Sequence, residues 1–244
     1  MKRYAHAWAM CRSMFCFIPS PWRVWDEEAR PLMLSFLPVL GLELGALWWG
    51  LAWVLRHFTV PLSVSALLLG AYPFAVTGAI HLDGFMDVVD AVRSCAGPEK
   101  RRAILKDPHV GSFAVVGCVL ALLASYSVFS VGTGDIRLLL LIPVVSRCGS
   151  ALAVTLLRPM STSQYAGQAI GKKQAVALFI MLAAALTAGF ELCGVRGFAL
   201  VIEAAAYGLA LLRGFRALDG MNGDVAGYAL TIAELCGAAA FALI

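Results

Sequence analysis

Charge is what this 244-residue sequence has least of: 14% of its residues are charged and 61% are hydrophobic, and its mean hydropathy is +0.82. A soluble globular domain carries about 25% charged residues, so that class is excluded. No low-complexity tract or internal repeat is present, and nothing resembles a separate soluble domain. Residues 1–244 therefore read as a single integral membrane domain. The seven cysteines (Cys11, Cys16, Cys95, Cys118, Cys148, Cys193 and Cys236) are scattered, odd in number and without a C-x-x-C pair. That pattern argues for small apolar packing residues and against a metal or redox site. The N-terminal apolar run is broken by Arg12 and ends at Pro19 without a small-residue cleavage site, which argues against a signal peptide. The net charge is +4, and no nucleic-acid partner is expected of such a membrane chain.

What is there is apolar sequence in long runs, and it predicts an all-α, polytopic membrane helix bundle. About seven segments approach the length that crosses ~30 Å of hydrocarbon, near 31–55, 61–80, 109–131, 137–157, 174–191, 197–212 and 225–244. Before them, residues 1–30 form an N-terminal segment. At helical spacing it puts Tyr4, Trp8, Cys11, Phe15 and Ile18 on one face, with Lys2, His6 and Ser13 opposite. Such a segment lies amphipathically at the interface or packs against the bundle. If the N-terminus is inside, 15 of the 19 basic residues fall on cytoplasmic segments, and only Arg56, Arg137 and Arg196 fall outside. Short loops rich in Lys and Arg stay in the cytoplasm, so this orientation is the expected one.

Against that background the stretch GAIHLDGFMDVVDAVRS, residues 78–94, is anomalous. Asp83, Asp87 and Asp90 follow at i, i+4 and i+7, and in a helix they fall within about 60° of one another. Carboxylates so placed repel unless a cation sits among them, and hard oxygen ligands suit Mg²⁺. A solvated acidic stripe at a helix start is the simpler alternative. The expected topology puts a second polar stretch, Gly220-Met-Asn-Gly-Asp224-Val-Ala-Gly227, on the same side. Asp224 stands where an N-cap belongs, with Thr231 and Glu234 further along the last span. Glu234 and Arg147 both lie within apolar spans, where an ionisable group marks function unless it has a structural partner. Arg147 needs an anion, either a carboxylate such as Glu234 or a phosphate. Lys106-Asp107, at the mouth of the third span, and Gly167-x-x-x-Gly171-Lys172-Lys173 are further candidates for phosphate contact, although the latter lacks the Walker pattern. Glu43 and Glu203 are lone acids within spans. Clustered carboxylates for a divalent cation, with basic residues for phosphate, fit phosphoryl or nucleotidyl transfer.

The order of these motifs resembles the cobalamin synthase family, the adenosylcobinamide-GDP ribazoletransferases. The matching stretches are Gly78-Ala-Ile-His81-Leu-Asp83-Gly84-x-x-Asp87-x-x-Asp90, Ile104-Leu-Lys106-Asp107-x-x-Val-Gly111, Ser146-Arg147, Gly171-Lys172, and Gly223-Asp224-x-x-Gly227 with Glu234. Phe17-Ile18-Pro19-x-Pro21 and Leu37-Pro38-Val-Leu-Gly41 also look like the family. The resemblance implies a multi-pass enzyme of the bacterial cytoplasmic (inner) membrane, Mg²⁺-dependent, with its active site facing the cytoplasm. Its substrates would be a corrinoid nucleotide, adenosylcobinamide-GDP, and α-ribazole or its 5′-phosphate. The implied products are adenosylcobalamin, or its 5′-phosphate, and GMP. It assigns Asp83, Asp87, Asp90, Asp224 and Glu234 to metal, and Lys106, Arg147 and Lys172 to phosphate. A carboxylate such as Asp83 or Asp87, or else His81, would take the proton. Membrane lipid is a partner, and the cytoplasmic loops leave room for a second copy or another enzyme of the pathway. The sequence departs from the family's G-D-x-x-G-x-x-x-E-x-x-E at Thr231, for which Glu43 is a possible substitute. It also has Pro108-His109 where Ser-Arg is common. The rival readings are a membrane phosphotransferase of the CDP-alcohol type, which expects D-G-x-x-A-R, and an ion-coupled transporter.

Overall fold

A computed structural model describes residues 2–18, 24–132, 134–160, 163 and 171–244. Among them every regular element is helical, and β pairing is confined to one isolated bridge between Pro159 and Met221. The helices are α1 (Lys2–Phe15), α2 (Arg30–Met33), α3 (Leu37–His57), α4 (Leu62–Val76), α5 (Ile80–Arg93), α6 (Pro98–Ile104), α7 (Ser112–Ser130), α8 (Ile142–Leu156), α9 (Lys172–Cys193), α10 (Phe198–Leu218) and α11 (Gly223–Leu243).

The helical membrane bundle is as expected, but the count of seven spans is not reached by length and apolarity alone. Five helical stretches among the described residues are long and apolar enough to cross a membrane, or six if the bent pair α4 and α5 counts as one. Segment 61–80 fails because α4 has 15 residues, about 22 Å, and the chain then turns by 86° into α5. Gly78 and Ala79 both adopt φ +61° at that turn. Glycine takes this left-handed conformation freely, whereas at Ala79 it costs about 1–2 kcal/mol. Segments 174–191 and 197–212 are α9 and α10, of 22 and 21 residues, each long enough to cross; they run on as one apolar stretch, Lys172–Leu218, broken by a 3₁₀ turn at Gly194–Gly197. The ring of Phe190 meets Phe198 edge-on across that turn, with centroids 5.0 Å apart.

Close backbone approach organises the centre. A Cβ on Gly45 would collide with the Leu140 carbonyl, and one on Gly41 with that of Pro143, so this G-x-x-x-G face lets α3 lie directly against the start of α8. Trp48 donates to the Leu69 carbonyl (3.0 Å) and Tyr72 to that of Leu44 (2.8 Å), tying α3 to α4. Helix α1 packs against the bundle. Its buried face is Ala7, Met10, Cys11 and Phe15, rotated from the expected one, and Tyr4 is exposed. His6 bonds Asp26 at 2.7 Å, and this ring contact holds the Asp26 carboxyl below the usual carboxylate range.

Basic residues collect at two ends. Arg102 (3.7 Å) and Arg158 pair with Asp219, just past α10, and Arg101 donates to the Ala217 carbonyl. Elsewhere Arg56 donates to Gly134, Arg137 pairs with Asp135 and Arg196 donates to the C-terminal Ile244. The first group consists of residues assigned to one side by sequence, and the second of those assigned to the other.

Candidate active site

The site forms where α5 crosses α11. Gly84 makes the crossing possible, because a Cβ there would stand 2.8 Å from the Asp224 Cα. A Cβ on Gly227 would come within 3.0 Å of the His81 carbonyl, and Thr231 one turn further donates its hydroxyl to that carbonyl at 3.2 Å. Phe85 stacks on Tyr228 with centroids 5.9 Å apart. Asp224 thus joins the acidic face of α5, and Asp83, Asp224 and Asp90 are the charged neighbours of Asp87.

Asn222, which sequence reasoning passed over, holds Asp224 in place. Its Oδ1 accepts from the Val225 amide (3.0 Å) and caps α11, while its Nδ2 donates to Asp224 Oδ2 (2.6 Å). Asn222, and not Asp224, is therefore the N-cap, which corrects the expectation and leaves Asp224 inside the first turn. The signal was present, since Asn two residues before an acidic first turn is a capping residue.

A pocket of about 110 Å³ opens beside the crossing, lined by Phe15, His81, Asp83, Arg147, Ser150 and Asp224 among others. The His81 ring stacks on Phe15 at 6.2 Å, and its Nε2 is buried without a hydrogen-bond partner. Arg147 Nε is likewise unpartnered, although Nη1 is engaged. No hydrogen bond or ion pair engages the carboxylates of Asp83 and Asp87 among the described residues, so their charge is uncompensated by the protein. Among the same residues no three acidic, His or Cys side chains are grouped to hold a metal by themselves. The donor chemistry still fits Mg²⁺, which is commonly held by one or two carboxylates, waters and the phosphates of a substrate, without an all-protein cage.

Other candidates are engaged elsewhere. Asp90 accepts from the amides of Gly111 (2.6 Å) and Ala114 (2.9 Å), capping α7 and fixing it to α5. Glu234 accepts from Arg147 Nη1 at 2.6 Å and from the Ser146 hydroxyl at 2.8 Å, with Arg147 2% and Glu234 7% exposed. Of the alternatives weighed for this pair, the structure shows the ion pair. Asp90 and Glu234 thus both have protein partners. Glu43, the possible substitute for the acid missing at Thr231, pairs with Arg12 at 3.0 Å and lines no part of this pocket. Glu203 is fully buried near the Arg147–Glu234 pair, and its oxygens make no hydrogen bond of ordinary geometry.

Lys106 and Lys172 are exposed and line no part of the pocket. The Asp107 carboxyl accepts from the His109 amide (3.0 Å) and faces its ring nitrogen (2.7 Å), and these bonds hold it below the usual carboxylate range. His109 therefore closes a local turn where the family pattern has Arg. The loop glycine Gly167 lies outside the described residues, as do Pro19 and Pro21.

Fold and site together define a membrane-embedded helical protein with uncompensated carboxylates at one end of its bundle. The Cobalamin-5-phosphate synthase family model matches residues 7–242, and the chain belongs to that family. It is 37% identical to a Clostridium perfringens (strain 13) protein named adenosylcobinamide-GDP ribazoletransferase, over 97% of each chain. A Clostridium botulinum (strain Alaska E43) protein of the same name is 30% identical over 97% of each. One from Geotalea daltonii is 43% identical over 53% of this chain and 52% of its own. No solved structure matches the chain.

Proposed function

We propose that this chain is an adenosylcobinamide-GDP ribazoletransferase, acting at the step that closes the nucleotide loop of cobalamin. It joins adenosylcobinamide-GDP to α-ribazole, or to α-ribazole 5′-phosphate, and releases GMP. Beside family membership, one observation carries this reading: Gly84 lets α5 and α11 bring Asp83, Asp87 and Asp224 together with no cationic side chain bonded to them.

The ribazole hydroxyl attacks the corrinoid-side phosphorus, a new P–O bond forms, and the bond to the GMP oxygen breaks. Mg²⁺ held by one or two of Asp83, Asp87 and Asp224 together with substrate phosphate would neutralise charge on the group in transfer. Arg147, anchored through Nη1 by Glu234, offers its remaining donors to a phosphate oxygen in the pocket. Lys106 and Lys172 meet the diphosphate outside it. The hydroxyl proton passes to an acceptor at the cluster, a carboxylate of Asp83 or Asp87 or the unpartnered His81 Nε2. The site faces the cytoplasm of a bacterial inner membrane, a reading supported by Arg101, Arg102 and Arg158 gathering near the C-terminal end of α10.

Purified protein incubated with Mg²⁺, adenosylcobinamide-GDP and α-ribazole is expected to yield GMP and a completed cobalamin, and EDTA should stop the reaction. Turnover of a CDP-alcohol and lipid instead would overturn the assignment. Asp83→Asn should abolish the Mg²⁺-dependent reaction while the protein still reaches the membrane at wild-type levels. Wild-type turnover by that variant would remove Asp83 from the site.

A further inference from the structure

A second concavity lies on the opposite side of α5 from its aspartates. This groove of about 590 Å³ is bounded by α5, α7 and α11, with one residue of α10 at its edge. Its α5 wall is Phe85 and Val89, and its outer lip is Phe113, Val116 and Leu120 of α7, all three at least half exposed. Two arginines, Arg93 at the end of α5 and Arg213 of α10, line the same groove, and both act electrostatically on the buried Tyr228. Both are exposed, and no hydrogen bond or ion pair engages either guanidinium among the described residues.

The dimensions are those of one lipid chain. From Phe113 to Ala124 the groove follows twelve residues of α7, eleven rises or about 16 Å at ~1.5 Å per residue, which is half of a ~30 Å hydrocarbon layer. Phe113 stands in the first turn of α7, fixed to α5 by the Asp90 cap, so the groove starts at the aspartate end and runs inward. A soluble nucleotide gains nothing from walls of Phe, Val and Leu that face hydrocarbon. An apolar partner helix laid there would bury two guanidiniums without counter-charge, at a cost of several kcal/mol. A lipid phosphate satisfies both demands, since basic pockets between membrane helices select anionic head groups.

We propose that this groove binds an anionic phospholipid of the leaflet at the aspartate end, its phosphate held by Arg93 and Arg213 and one acyl chain lying along α7 and α11. A lipid seated there braces α5 from the side opposite Asp83 and Asp87.

Native mass spectrometry of the detergent-solubilised chain, titrated with phosphatidylglycerol or phosphatidylcholine, tests this without reference to catalysis. The wild type is expected to retain one phosphatidylglycerol in preference to phosphatidylcholine. Arg93→Gln combined with Arg213→Gln should weaken phosphatidylglycerol retention about tenfold or more, at ~1 kcal/mol per arginine. Ala124→Phe, which fills the exposed part of the groove and leaves the charge alone, should weaken both lipids. Equal retention of the two lipids, unchanged retention by either variant, or displacement of the lipid by GMP or inorganic phosphate would overturn the proposal.

Discussion

Arg147 and Glu234 show what a membrane bundle demands of a charged side chain. Each is nearly inaccessible, and their 2.6 Å contact is reinforced by the Ser146 hydroxyl. Removing one partner strands the other, so Glu234→Gln is expected to cost about 3–5 kcal/mol, read as a lowered Tm in detergent. Glu203→Gln should leave Tm unchanged or raise it, because Glu203 has no bonded partner to lose and its charged form is the expensive one in the bundle. A Tm drop for Glu203→Gln equal to that for Glu234→Gln would mean that Glu203 belongs to the pair. Both acids were visible in the sequence as charges out of place. The pairing was not decided there, because 87 residues separate Arg147 from Glu234 and periodicity does not say which faces meet.

Among the helices, legibility followed length and apolarity. Helices α7, α8 and α11 stand within a few residues of where hydropathy placed them. The bend between α4 and α5 did not show, because hydropathy is blind to φ and a left-handed Ala79 leaves no compositional mark. The shared face of Asp83 and Asp87 was readable from their spacing, while Asp90's role as a cap was not, since its partners lie 21 and 24 residues away. Gly84 sets how close α5 and α11 come, and Gly84→Val must push Asp224 away from Asp83. If the pair forms the catalytic centre, turnover should fall on the order of 100-fold, as expected when positioned groups move by about 1 Å. Expression in the membrane should persist, and near-normal turnover would argue against the crossing as the centre of reaction.

For the molecule as a whole, the two collections of arginine and their carbonyl or carboxylate partners define its ends. Cys95, in the loop between α5 and α6, is the only exposed cysteine among the described residues and stands at the aspartate end. In a variant keeping only this thiol, a membrane-impermeant maleimide should fail to label intact cells and should label inverted vesicles. Labelling of intact cells would place the aspartates on the outer face. This sidedness is what the basic-residue census predicts, because each short loop declares its charge locally.

The pocket between His81 and Asp224 has a consequence for traffic. At about 110 Å³ it has room for a small cluster of waters. A phosphate fits; a corrin macrocycle does not. Under the proposed reaction the protein grips the seam between two bulky halves, and the macrocycle stays outside the bundle. Such a keyhole is indifferent to the far edge of the ring, so analogues altered in the ring periphery should couple, and the ring of the finished molecule can withdraw without any helix parting.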